Sequence, residues 1–440
     1  MKKSLSLIAC GWGFILVLLF IYTDLQMPKE VSNSDYLMTY HTAGQLVREG
    51  NARMLYPPAD AKSFIDTEFD KAAHRILPLL PARATAEYMY MPLIAGLFVP
   101  FSFLPLGYSI LAWQILSLVA VAFSAFLASS HASQTDEGSN LDIAAGWIAL
   151  TLIPLALSIW IGQLSVIYGL LPLMGGLYFV FKGKDMLGGL AWSLAVLKPQ
   201  FFIPAVMMTI GLATAKRFKP MIGIACGIVA IVALNLVLFS PDLFREWLTT
   251  VKLADAVYSD TKFGVNTQLA TSLPRAIILM LPVEQHAVFK PLIYTVSVIL
   301  GGVGLLFVSR LIRSPLADSF KISLAAIICI FATPMVVPHV FFYDFTIFAA
   351  AGFLACAFKW PEYLEWRIRS LTYVTWSIIN VYAIILVTKK TFAIPIIFVL
   401  LMLELYRRAI MTGQAALKYG VGPQEHKDRV TVEGLNKTDI

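Results

Sequence analysis

Residues 186–215 read MLGGLAWSLAVLKPQFFIPAVMMTIGLATA. One charged side chain, Lys198, followed by Pro199 and Gln200, interrupts the stretch. As a straight helix it would be about 45 Å long at 1.5 Å per residue, against a hydrocarbon core of about 30 Å. It would also put Lys182 and Lys184 on one side of a membrane and Lys216, Arg217 and Lys219 on the other. Basic residues gather on the cytoplasmic side. A hairpin of two short helices, 186–197 and 201–215, removes both conflicts. Pro199 supplies the break, because it lacks an N–H and restricts the backbone of Lys198 before it. The apex Lys198-Pro199-Gln200 then points to the extracytoplasmic side, recessed into the membrane. A charge at mid-bilayer costs at least roughly 2.5–3.5 kcal/mol on insertion scales. The lysine is therefore expected to face a cavity open to the outer side, not lipid.

The rest of the chain agrees with a membrane setting. Of 440 residues, 58% are hydrophobic and only 14% are charged, and the mean hydropathy is +0.74. Soluble domains carry about 25% charged residues. The fold class expected is all-α, a polytopic integral membrane protein. The net charge of +7 comes mostly from basic residues at span ends, so it does not point to nucleic acid. Cys10, Cys226, Cys329 and Cys356 lie singly in apolar runs. They read as small core residues without disulfide or metal-ligand spacing.

Lys2 and Lys3 precede an apolar stretch, Leu5 to Tyr22, read as an uncleaved first span leaving the cytoplasm. A polar extracytoplasmic loop follows, at about 24–91. Pro92, Pro100 and Pro105 break the first part of the next apolar block, so 92–106 reads as a kinked or half-inserted lead-in and 107–129 as span two. Spans three and four, 143–161 and 164–181, meet at Gly162-Gln163. Beyond the hairpin come spans at 220–239, 291–309, from after Lys321 to near Ala332, 345–358, 371–387 and 392–406. That gives about twelve spans, both termini cytoplasmic, a membrane domain over 1–406 and a polar cytoplasmic tail over 407–440. Lys389 and Lys390 break the charge bias of the last pair.

With this topology the unusual polar residues fall on the outer face: Asp35, Gln163, Lys198, Gln200, Asn266, Gln268, Arg275, His339, Tyr343 and Asp344. A carboxylate and several cations at one membrane surface point to chemistry on a lipid-borne anion. Each residue also has a plainer explanation. Asp35 opens a helix that Asn33 or Ser34 can cap and Gly50 can end, and a carboxylate there adds only about 0.3–1 kcal/mol. Tyr36, Tyr40, Ala43 and Val47 follow helical spacing, so that face is expected to lie on the membrane surface. Asp24 reads as the boundary residue of span one. Lys198 could snorkel from a helix end, or its ammonium could hold a phosphate. His339 could be an interfacial histidine, and Gln163 could bond a free carbonyl at its turn. A solvated loop accounts equally for Asn266, Gln268 and Arg275.

At these residues the chain resembles glycosyltransferase family 87, the polyprenyl-phosphate-mannose-dependent enzymes of GT-C fold. The resemblance rests on Asp35-Tyr36, Tyr40, Ala43, Gly50 and Leu55-Tyr56-Pro57-Pro58 in the first loop, and on Tyr90-Met91-Pro92-Leu93, where Met91 replaces a proline. It continues in Gly162-Gln163-Leu164-Ser165, where Ser165 replaces an asparagine, and in the intact Lys198-Pro199-Gln200. A looser Ser-Pro-His motif is split between Thr333-Pro334 and Pro338-His339. The resemblance implies a GT-C bundle that takes a polyprenyl-phosphate-linked sugar, by family name mannose, from the outer leaflet. A lipid or glycan hydroxyl would be the acceptor. It implies Asp35 as general base in an inverting displacement, with Lys198, His339 and Arg275 stabilising the phosphate leaving group. No metal-ligand cluster stands out, so neither a metal nor another cofactor is expected. Two other readings share some of these features: a secondary transporter, in which broken helices and a midplane lysine are also usual, and another lipid-linked sugar transferase or ligase. The transporter reading would call for two related halves, and no internal repeat is evident.

Overall fold

The computed structural model describes residues 2–26, 28–132, 149–259, 271–358, 360–388 and 393–419. Between its two basic clusters the chain doubles back. The helix Asp185–Ser193 tightens into a 3₁₀ turn, Leu194–Leu197, and breaks at Lys198, whose φ of −133° and ψ of 81° are far from helical. A second 3₁₀ turn, Pro199–Phe201, leads into the helix Phe202–Thr214. Arg217, just past the second arm, lies 2.5 Å from the Asp185 carboxylate that opens the first. It also donates to the Val180 carbonyl at 3.1 Å. The two open ends therefore meet, and Lys198 occupies the closed end.

The first arm is locked against the helix Lys219–Leu238 by glycines on both sides. A Cβ on Gly189 would stand 2.0 Å from the Pro220 carbonyl oxygen, and one on Gly223 would stand 2.2 Å from that of Met186. The backbones touch there, so even alanine does not fit without movement.

By length and composition five described helices can cross a membrane: Leu106–Ser130, Lys219–Leu238, Val283–Ile312, Asp318–Val336 and Glu362–Ile385. Shorter apolar helices, Gly11–Gln26, Val166–Phe181, Asp185–Leu197, Pro199–Thr214 and Phe342–Ala357, stand beside them. Asp318–Val336 is buried on nearly every side and forms the middle of the bundle. The outer helices expose Val237, Leu238, Val298, Ile299 and Leu306. In water such faces would drive aggregation; in a bilayer lipid covers them. The chain is thus an all-α, multi-pass integral membrane protein.

The prolines act as their positions suggest. Pro92–Phe98 is a short helix, Pro100–Phe103 a 3₁₀ turn, and after a break at Leu104 the long helix Leu106–Ala132 begins. In the first loop Ser34 Oγ accepts from the Leu37 N–H at 3.4 Å. A π-helical turn, Tyr36–His41, then runs into the helix Thr42–Arg48, which stops before Gly50 with φ of +77°. The face carrying Tyr36, Tyr40 and Ala43 packs on protein instead of the membrane surface. The Tyr40 ring stacks on Phe98 with centroids 5.1 Å apart, and Tyr36 sits 6.1 Å from Trp113. The lead-in helix Pro92–Phe98 folds over this face and takes the place of lipid. At the other end of the chain the helix continues past 406 to Tyr419, with Ala409 and Ala416 buried, so the polar tail does not start at 407. The span expected over 143–161 is described only from 149, and Lys389 and Lys390 lie outside the described residues.

Candidate active site

Four segments meet at Lys198. The first is the turn at Gly162, whose φ of +71° belongs to the left-handed region that glycine tolerates. A Cβ there would lie 2.4 Å from Tyr36 Cβ. The Tyr36 N–H donates to the Ile161 carbonyl at 3.0 Å, so this turn is stitched to the first loop. The stitch brings Asp35 and Tyr40 over Gln163. The third segment is the 3₁₀ turn Phe342–Ile347, in which Asp344 Oδ2 accepts from the Phe341 N–H at 3.1 Å. The fourth holds Tyr90, at the start of the lead-in helix.

Their side chains form one connected group. Lys198 Nζ lies 3.1 Å from Asp344 Oδ1, with side chains 2% and 1% exposed. It also donates to Gln163 Oε1 at 3.1 Å. The other end of the same amide, Nε2, donates to Asp35 Oδ2. Ser165 Oγ donates to Asp344 Oδ1 at 3.1 Å. The Tyr40 hydroxyl lies 2.8 Å from that of Tyr90 and 3.1 Å from Gln163 Oε1. The rings of Tyr90 and Tyr343 stand 5.9 and 5.1 Å from the ammonium.

The expected open recess at Lys198 is therefore filled. An unpaired ammonium in a water-poor site is costly, and Asp344, Gln163 and two aromatic faces supply the compensation. Gln163 bonds side chains, not the free carbonyl of its turn. Asp35 remains partly exposed at the edge of the group. Protein surrounds it closely enough that desolvation raises its carboxyl above the ordinary value, while the Gln163 bond and the Lys198 charge pull the other way. Among the described residues its second oxygen, Oδ1, has no hydrogen-bond partner. A carboxylate with raised basicity and one oxygen free of hydrogen bonds among the described residues is suited to accept a proton.

His339 and Arg275 belong to a second group. His339 Nε2 lies 2.9 Å from Asp255 Oδ1, and Lys290 approaches Oδ2 of the same carboxylate. These side chains are 30%, 39% and 27% exposed, in the order His339, Asp255, Lys290. The His339 hydrogen bond, followed by Lys290, holds the Asp255 carboxyl well below the usual carboxylate range against the opposing effect of burial. Arg275, buried in the helix Leu273–Ile278, acts electrostatically on Tyr294 beside Lys290. The segment 339–344 joins the groups, carrying His339 to one and Asp344 to the other. Tyr343 is half-buried between Lys198 and Phe341. Gln200 Oε1 is buried without a partner among the described residues, and Asn266 and Gln268 lie outside them.

Asp255 and Lys290 were not visible in the sequence as site residues, because each sits in a helix without a motif. Asp24 is more than the end of a span: it is buried, its Oδ2 has no partner among the described residues, and it lines a cavity of about 60 Å³ with Val31, Ser32, Leu37 and Leu106. Among the described residues no three His, Cys, Asp or Glu side chains stand together as a metal site would require.

The segment that supplies Tyr90, Gln163 and Lys198 is also the part of the chain that is recognisable. Residues 88–338, more than half of the sequence, match the model of Glycosyltransferase family 87. The protein belongs to that family and is a membrane glycosyltransferase. No curated protein and no solved structure gives a significant match.

Proposed function

We propose that the protein transfers a hexose, by family name mannose, from a polyprenyl-phosphate donor to an acceptor hydroxyl on the extracytoplasmic side. The transfer inverts the anomeric configuration. The observation that supports this reading most is the Asp35 carboxylate, one oxygen held by Gln163 and the other without a hydrogen-bond partner among the described residues, within one connected group that holds a buried cation.

Asp35 takes the proton from the acceptor hydroxyl. The hydroxyl oxygen forms a bond to the anomeric carbon as the bond from that carbon to the phosphate oxygen breaks. The electron pair leaves with the polyprenyl phosphate. General-base help of this kind is worth about 10²–10⁴-fold in rate. The departing phosphate needs positive charge. His339, partly exposed on the segment that leads to Asp344, would approach it, and Arg275, which acts on Tyr294, would add to the positive potential. Lys198 contributes its field from behind the Tyr90 and Tyr343 rings. GT-C architecture, twelve spans and cytoplasmic termini fit this picture: the Asp185–Arg217 end of the hairpin lies by the basic clusters and the Lys198 end lies away from them.

The test is incubation of purified protein with a panel of polyprenyl-phosphate sugars and lipid acceptors, scored for released polyprenyl phosphate. Release from one such donor, with no turnover of the corresponding nucleotide sugar, is the expected result. Turnover of the nucleotide sugar alone would overturn the donor assignment.

A further inference from the structure

Gln163 is bonded differently from every other polar side chain of the site. Its Oε1 accepts from Lys198 Nζ at 3.1 Å and its Nε2 donates to Asp35. The orientation of this amide is fixed by chemistry. An ammonium has only hydrogens to give, so the carbonyl end must face Lys198; the NH₂ end must then face the carboxylate, which only accepts. The reverse orientation would set nitrogen against nitrogen and oxygen against oxygen. Lys198 cannot turn away, because Asp344 holds it at 3.1 Å and Asp344 is itself held by Ser165 and the Phe341 N–H. Gln163 cannot slide, because the Gly162 turn packs against Tyr36 and the Tyr40 hydroxyl lies 3.1 Å from its Oε1.

We propose that Gln163 is the positioning residue of the reaction: it transmits the fixed location of the Lys198–Asp344 pair to Asp35 and pins one carboxylate oxygen, so that the other faces the acceptor. This rests on Asp35 being the general base. Gln163 touches no reacting atom, and Lys198 acts on the base through it as well as through space. The carboxamide is the side chain this place requires. A carboxylate would repel Asp35, a lysine would repel Lys198, and an apolar residue would leave Asp35 free to rotate.

The experiment compares Gln163→Glu, Gln163→Met and Asp35→Asn with the wild type in steady-state transfer across pH. Gln163→Met is expected to lower kcat on the order of 10²-fold, the loss that a displacement of about 1 Å produces, with KM for the donor unchanged. Gln163→Glu keeps the shape and sets a second carboxylate against Asp35. Besides that group, the charged or titratable groups that act on Asp35 are Lys198, Asp344 and Tyr40, and Tyr90 and Tyr343 stand on the far side of Tyr40 and Lys198. Burial holds the Tyr40 hydroxyl well above its ordinary value, so it stays neutral, and Lys198 and Asp344 offset one another. The acid limb of the kcat/KM profile of Gln163→Glu therefore moves to higher pH by about one to three units, as when two carboxylates share a site. A residue that only supports the fold would lower the amount of active enzyme and leave that limb in place. An unshifted limb, or a wild-type kcat in Gln163→Met, with Asp35→Asn inactive overturns the positioning role and leaves the base assignment standing. Full activity in Asp35→Asn overturns the base assignment itself.

Discussion

Replacing Lys198 by methionine removes the charge and keeps much of the length of the side chain. In the intact protein the ammonium and the Asp344 carboxylate are 3.1 Å apart and about 98–99% enclosed. Their attraction is about 5 kcal/mol at an effective dielectric of about 20. Taking two charges out of water costs several kcal/mol each, so the pair as a whole adds little net stability. A single substitution is another matter, because it strands a buried charge. Lys198→Met and Asp344→Asn should each lower unfolding stability by about 3–5 kcal/mol. The double substitution strands no charge and should cost less than either single, giving a coupling of at least about 3 kcal/mol, at or above the upper end for contacting residues. The assay is a double-mutant cycle on purified protein in one detergent, followed by denaturant unfolding. Additive losses, or singles within about 0.5 kcal/mol of wild type, would refute the picture of a closed, charge-compensated apex.

Three further outcomes follow from the geometry. Gly162→Ala forces a side chain into a left-handed backbone position 2.4 Å from Tyr36; it should cost about 1–3 kcal/mol and most of the transfer activity, and a variant with normal melting and turnover would show that the turn is not needed. Asp255 ionises below its unfolded value of about 3.9 because His339 and Lys290 stabilise its charge. Its depressed carboxyl therefore adds stability above that value and loses it as pH falls, so the stability gap between wild type and Asp255→Asn should close below about pH 4; a gap that widens there contradicts the assignment. A cysteine replacing Asp60, exposed in the first loop, in a protein whose four native cysteines have been replaced, should react with impermeant thiol reagents from the extracytoplasmic side of intact cells; labelling from the cytosolic side alone would invert the topology.

The hairpin was legible because three independent constraints met in one stretch: its length, its proline, and the basic clusters at its ends. Asp185 and Arg217 stand at those ends, and their ion pair is the structural form of the same argument. The prolines of 92–106 were equally readable, since a missing N–H breaks a helix in any setting. What the sequence could not convey was partnership. Lys198 and Asp344 are 146 positions apart, and neither carries a mark that it will pair with the other. A lysine read alone looks open to a ligand, whereas its ammonium is enclosed. Ser165, where the resemblance puts an asparagine, donates to Asp344 across 179 positions, and nothing local marks that contact either. Asp255 and Lys290 escaped notice for the same reason: ion pairs between helices have no local period or motif.

The most direct measurement is release of polyprenyl phosphate by the wild type and by Asp35→Asn, on a saturating polyprenyl-phosphate hexose and acceptor, with matched melting temperatures. The account predicts that the amide, which cannot take the acceptor proton, turns over at least about 10²-fold more slowly. Equal rates would mean that the proton leaves by another route and that the carboxylate at position 35 is not the base.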